Sequence, residues 1–265
     1  MSLYQEVAGD GPAVVLVHAG ICDSRMWDPQ WTTFPRDHRT VRYDQRGFGR
    51  SPLTPGPVAD ARDLAALLAG LGVERAALVA ASYGGRVALE LAVARPDLVE
   101  LLVLAGASLP GHEWSPAVRD YFAEEEAALE RGDLDAAVDA SLRTWVDGTG
   151  RPAGTVDPTV REAVRRMQRR AFELQLPFAD NEEEEEEEAL EPDWPDRLGK
   201  AQVPALVLVG DHDQPDIHEM ARRLARELPQ ARTATIAGAA HLPSMERPAE
   251  FDRLALAFLA DHQGR

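Results

Sequence analysis

The sequence predicts an α/β protein: a mostly parallel central sheet with helices on both faces, interrupted by one helical cap insertion. Three observations predict it. Apolar, Val- and Leu-rich runs recur at 13–17, 98–104 and 203–209, each followed closely by glycine, and such continuous runs suit parallel strands covered on both faces. Stretches with helical spacing alternate with them, as in chains that wind back and forth across one sheet. From 109 to 198 the alternation stops and only helical periods remain.

Taken in order, Ala13–Val17 reads as a strand ending at His18-Ala19-Gly20, and 40–43 as a second ending at Asp44-Gln45-Arg46-Gly47. A helix over 60–71 stops at Gly72, and the next strand, 76–81, runs into Ser82. A helix over 86–94 is closed by Pro96 before the buried strand at 98–104. In the insertion, Ser115-Pro116 opens a helix that Gly132 ends. Asp133 opens a second reaching Val146, and Asp157-Pro158 a third reaching about Gln175. Each start pairs a capping side chain with a residue suited to the first turn. The α/β rhythm then resumes with a strand at 203–209, a helix at 215–228, a short strand at 233–236 and a closing helix at 248–260. The expected organisation is one core domain, 1–108 and 199–265, with 109–198 as a cap over the carboxyl ends of the strands, where ligands bind in such folds.

Composition narrows the function classes. An apolar content of 45% over 265 residues supports a packed interior. No apolar run approaches the roughly 18 residues of a membrane span, and the first residues lack a basic-then-apolar leader, so a cytoplasmic location is expected. A net charge of −17 argues against nucleic acid and anionic membranes as partners. Part of that charge is local, in seven consecutive glutamates at 182–188, which read as a solvated face of the cap. The single cysteine, Cys22, excludes an internal disulfide and a multi-cysteine metal site. It follows a strand with no flanking group that would activate a thiolate, so a passive role is expected. No metal or cofactor is expected, and monomer and homodimer both stay open.

Val79-Ala80-Ala81-Ser82-Tyr83-Gly84-Gly85 joins a strand to a helix at one serine. A sharp turn there would push the hydroxyl above the sheet, beside backbone N–H groups that favour negative charge. The pattern differs from G-x-S-x-G in having Ala80 in place of the first glycine. Alone, the heptapeptide supports two readings equally, a nucleophile or a helix N-cap. Later strands bear on the choice. Asp213 follows Val209-Gly210-Asp211-His212, and His241 lies in Gly238-Ala239-Ala240-His241-Leu242-Pro243. Acyl transfer by serine needs a base and an acid that orients it. The chain order Ser, Asp, His at three strand ends meets that need. Asp211 is the rival acid, but Asp213 lies further into the loop.

These pieces, with Tyr43-Asp44-Gln45-Arg46-Gly47-Phe48-Gly49-Arg50-Ser51 and Glu246-Arg247-Pro248, make the chain resemble the α/β-hydrolase fold superfamily over nearly its full length. The resemblance implies Ser82 as nucleophile, His241 as base, Asp213 as orienting acid, and the N–H groups of Gly20 and Tyr83 as the oxyanion hole. It implies hydrolysis of a small carboxylic ester or lactone through an acyl-enzyme. Carbon–carbon bond hydrolysis by the same triad, or a slow-turnover ligand-binding protein of this fold, are the alternatives. His18 is expected to brace its loop, Asp44 and Arg46 to be structural partners, and Trp27, Trp114, Trp145 and Trp194 are candidates for the wall between cap and sheet.

Overall fold

The computed structural model of the chain describes residues 3–54, 58–152, 154–178 and 189–262, and the glutamates at 182–188 lie outside them. Seven strands form one sheet: β1 (Gln5–Ala8), β2 (Ala13–Val17), β3 (Arg39–Tyr43), β4 (Ala76–Ala81), β5 (Val99–Ala105), β6 (Ala205–Gly210) and β7 (Ala231–Ile236). Their order is β1-β3-β2-β4-β5-β6-β7. Every neighbouring pair is parallel except the edge strand β1, which runs antiparallel to β3.

β2, β4 and β6 are apolar at every position, and β5 at every position but Glu100, because both faces are covered. In β4, Ala76, Leu78 and Ala80 join one core cluster while Ala77, Val79 and Ala81 join the other, the two-residue period of a pleated strand. Alanine has low strand propensity, but burial on both sides overrides it. The first cluster includes side chains of α1 (Asp60–Gly70), α2 (Tyr83–Ala94) and α6 (Pro215–Glu227), such as Leu64, Leu91 and Leu224. The second includes Phe251, Phe258 and Leu259 of α8 (Pro248–His262), which follows the single turn α7 (Pro243–Glu246). Each fully buried Leu or Phe contributes about 1.5–3 kcal/mol of transfer free energy.

Between β5 and β6 the described residues form no strand and include α3 (Pro116–Glu130), α4 (Leu134–Ser141), a π-helical turn (Leu142–Asp147) and α5 (Pro158–Gln175). Val138 and Val164 pack together with Met167 and Phe172 in the second cluster. The Asp133 and Asp157 carboxylates accept from the amides of Ala136 and Thr159, capping α4 and α5. One difference from the sequence reading is that the helix expected to run to Val146 changes pitch after Ser141. The Ser141 hydroxyl donates to Glu125 of α3 at 2.6 Å there, tying the last turn of α4 to α3. The parallel strands all point the same way, so the loops after β2, β4, β5, β6 and β7 gather at one edge.

Candidate active site

At Ser82 the backbone adopts φ 50° and ψ −116°, and Ser82 is the one non-glycine residue with positive φ among those described. An L-residue holds such a conformation only where its surroundings enforce it. They do so on both sides. The Ser82 amide donates to Ala105 O at 2.9 Å, and its carbonyl accepts from Gly85 and Arg86 at 2.9 and 3.3 Å. Gly84 lets α2 begin against the end of β2, since a Cβ there would lie 2.4 Å from His18 O and 2.6 Å from Val17 O. Ala80 keeps the regular ladder with Val17 and Leu104, so the close approach falls after the serine. Ser82 makes no side-chain cap on α2. Its Oγ lies 2.7 Å from His241 Nε2 instead.

His241 is buried, and its Nδ1 meets Asp213 Oδ2 at 3.0 Å and Oδ1 at 3.1 Å. With Nδ1–H donating to a carboxylate, Nε2 presents a lone pair to the serine hydroxyl. Asp213 is further fixed by the Gln214 amide at 2.8 Å. Asp211, the rival, accepts from the Gly238 amide at 2.7 Å and so ties the two loops through backbone. Gly106, after β5, makes room for the pair: a Cβ there would lie 3.1 Å from His241 Nδ1 and 3.3 Å from Asp213 Oδ2.

Gly20 and Tyr83 are brought together as well. A Cβ on Gly20 would sit 3.3 Å from Tyr83 Cβ, and Tyr83 opens α2, where a backbone N–H has no intrahelical acceptor. The Tyr83 hydroxyl donates to Asp60 at 2.6 Å. Beside them opens a pocket of about 350 Å³ whose lining includes Phe48, Leu53 and Gln175.

His18 behaves as a brace. Its Nδ1 donates to Ala19 O at 2.9 Å and its Nε2 accepts from the Gln45 amide at 2.9 Å, while burial lowers its pKa. Asp44 accepts from the amides of Ser24 and Arg50, each at 2.8 Å, whereas Arg46 pairs with Asp63 of α1. The tryptophans divide. Trp27 packs on Phe251 and Trp194 is sealed in the core against α2, so neither takes the position considered for it. The Trp145 ring lies 4.6 Å from the His241 ring, with Trp114 and Tyr121 edge-on to it. Cys22 is fully buried, which raises its thiol pKa well above the usual value, so it is poorly suited to act as a nucleophile.

A parallel sheet with serine, aspartate and histidine after its fourth, sixth and seventh strands is the layout of an α/β-fold hydrolase. The chain belongs to the alpha/beta hydrolase family, whose model matches residues 14–254. Over 94% of its length it is 28% identical to the putative carbamate hydrolase RutD of Pseudomonas savastanoi pv. phaseolicola, covering 94% of that protein. Among solved structures it is similar to a thermophilic esterase from Thermogutta terrifontis, at TM-score 0.78 and 28% identity over 98% of this chain and 94% of that one. An enol-lactonase from Burkholderia xenovorans is similar at TM-score 0.77 and 25% identity, over 97% and 96% of the two chains.

Proposed function

We propose that the protein is a serine hydrolase that cleaves a small carboxylic ester or lactone through Ser82, His241 and Asp213. The observation that carries this reading is the unbroken contact from Ser82 Oγ to His241 Nε2 at 2.7 Å and from His241 Nδ1 to Asp213 at 3.0 Å. His241 takes the hydroxyl proton as Ser82 Oγ attacks the carbonyl carbon, and Asp213 stabilises the imidazolium that forms. The Gly20 and Tyr83 amides donate to the developing oxyanion. His241 then protonates the leaving alcohol. Water, deprotonated by the same nitrogen, attacks the acyl-enzyme and restores Ser82.

In this reading the helices between β5 and β6 form a cap over the substrate, and the tyrosine and tryptophans around Trp145 supply its inner wall. The names of the similar proteins support esters, lactones and carbamates as the substrates to try. All three place a carbonyl between the nucleophile and a leaving heteroatom, so one mechanism serves them. The test is a panel of p-nitrophenyl esters, lactones and carbamates of graded acyl length, run with Ser82→Ala. Turnover of at least one class should fall by about 10⁴-fold or more in the variant, the scale of losing a triad nucleophile. Equal rates in the two proteins would refute the mechanism, and a single burst followed by arrest would favour a slow ligand-binding protein.

A further inference from the structure

The hydrogen bonds of the segment from Thr144 to Arg151, at the end of the π-helical turn, run to both loops that carry His241 and Asp213. The Trp145 carbonyl accepts from the His241 amide at 3.3 Å, on the residue whose ring lies against the imidazole. On the acid loop, Thr149 N donates to His212 O at 2.8 Å, Thr149 Oγ1 to Asp213 O at 3.1 Å, and Gln214 Nε2 to Thr144 O at 2.6 Å. Gly148, at φ 68°, is wedged between the loops. A Cβ there would lie 2.5 Å from His212 O and 2.6 Å from Ala240 Cβ.

Arg151 and Glu246 complete the clamp. The Glu246 Oε1 atom accepts from the amides on either side of His241, Ala240 at 2.9 Å and Leu242 at 3.4 Å. Its Oε2 accepts from Arg151 Nη1 at 2.6 Å, and the two side chains are only 3% and 4% exposed. The rest of the guanidinium donates to the carbonyls of Val146, Asp147 and Gly238. A buried ion pair adds little net stability compared with a well-packed apolar replacement, so its value here lies in fixing geometry.

We propose that Arg151, with Glu246 and Thr149, is a positioning residue that sets the registry of His241 against Asp213 and Ser82. This rests on the serine-hydrolase reading above. Neither Arg151 nor Glu246 acts on the imidazole directly: the charged group facing the ring is Asp213, and the pair acts on the backbone that carries it. Reacting groups must be held within about 0.5 Å of productive geometry, and a misplacement of about 1 Å costs on the order of 100-fold. A clamp gripping both loops is placed to control that margin.

The test compares wild type, Arg151→Met, Arg151→Lys and Thr149→Val on the best ester of the substrate panel, with Ser82→Ala as the control. Arg151→Met should lower kcat about 10- to 100-fold with KM within about twofold, the mark of lost alignment with intact binding. Arg151→Lys, which restores the charge beside Glu246, should recover most of that loss. Thr149→Val keeps the volume and the backbone bond to His212, and should lower kcat by about fivefold. It carries the test if Arg151→Met does not fold. In parallel, the low-field proton resonance of His241 Nδ1, identified by its loss in His241→Ala, should move upfield or broaden in Arg151→Met and Thr149→Val and return in Arg151→Lys. Variants that lose thermal stability while kcat and the resonance stay at wild-type values would overturn the proposal. Absence of Ser82-dependent turnover in wild type would sink the serine-hydrolase reading instead, and the resonance, which needs no substrate, would then decide on the positioning role alone.

Discussion

The proposed nucleophile and its partners are held by different means. Ser82 is set by neighbours in sequence: β4 before it, α2 after it, and Gly84 where the helix begins against β2. His241 and Asp213 sit on loops tied to the helical insertion by bonds spanning 63 to 96 residues. The first arrangement reaches no further than the adjacent strands β2 and β5. The second links the proposed acid–base pair to the element proposed to cover the substrate, so a change in the insertion would shift His241 and Asp213 without touching the serine.

After loss of Ser82 itself, the largest effect expected separates the two aspartates after β6. Asp213→Asn should lower kcat by about 10³- to 10⁴-fold, because an amide at that site favours the wrong imidazole tautomer. Asp211→Asn, which leaves an acceptor for the Gly238 amide, should cost less than about tenfold. Comparable losses for the two would mean that loop tethering, rather than tautomer control, dominates. On the local side, Gly84→Val should cost about 3 kcal/mol or more of stability, read as a fall in the denaturant midpoint, since its side chain would drive into the backbone of β2.

A smaller effect sharpens the long-range side. Burial raises the pKa of Glu125, which accepts from the hydroxyls of Tyr121 and Ser141 beneath Trp145. A raised carboxyl pKa means that the folded state holds its proton longer than the unfolded one. Stability should therefore fall as pH rises from the ordinary carboxyl range through the raised value. Thermal melts from pH 4 to 8 should show that fall weakened in Glu125→Gln, by about 2–4 °C. Identical pH dependence in the two proteins would remove Glu125 as its source. Smallest of all, Cys22 should react with less than about a tenth of one equivalent of a thiol reagent in the native protein at pH 8, and fully after denaturation.

The parts legible in the sequence were those that local chemistry specifies. Continuous Val and Leu runs marked β2, β5 and β6, and capping residues marked the starts of α4 and α5. A serine between a strand and a helix, with an aspartate and a histidine after later strands, gave the positions that the structure brings within hydrogen-bonding distance. The edge strand Gln5–Ala8 escaped notice because it is four residues long and half-exposed, without a run of β-branched side chains. The Arg151–Glu246 pair escaped because two charged residues 95 apart leave no periodic trace. Glu246 was visible only as part of a motif after the histidine, with no partner to explain it. No sequence pattern marks Gly106 or Gly148, because their tight clearances exist only once the loops are packed together.

The most direct measurement of the central claim is covalent labelling with a fluorophosphonate, followed by intact-mass analysis and peptide mapping. One adduct per chain is expected on the peptide containing Ser82, lost in Ser82→Ala and strongly slowed in His241→Ala. An adduct on another residue, or none in a preparation that turns over esters, would contradict it.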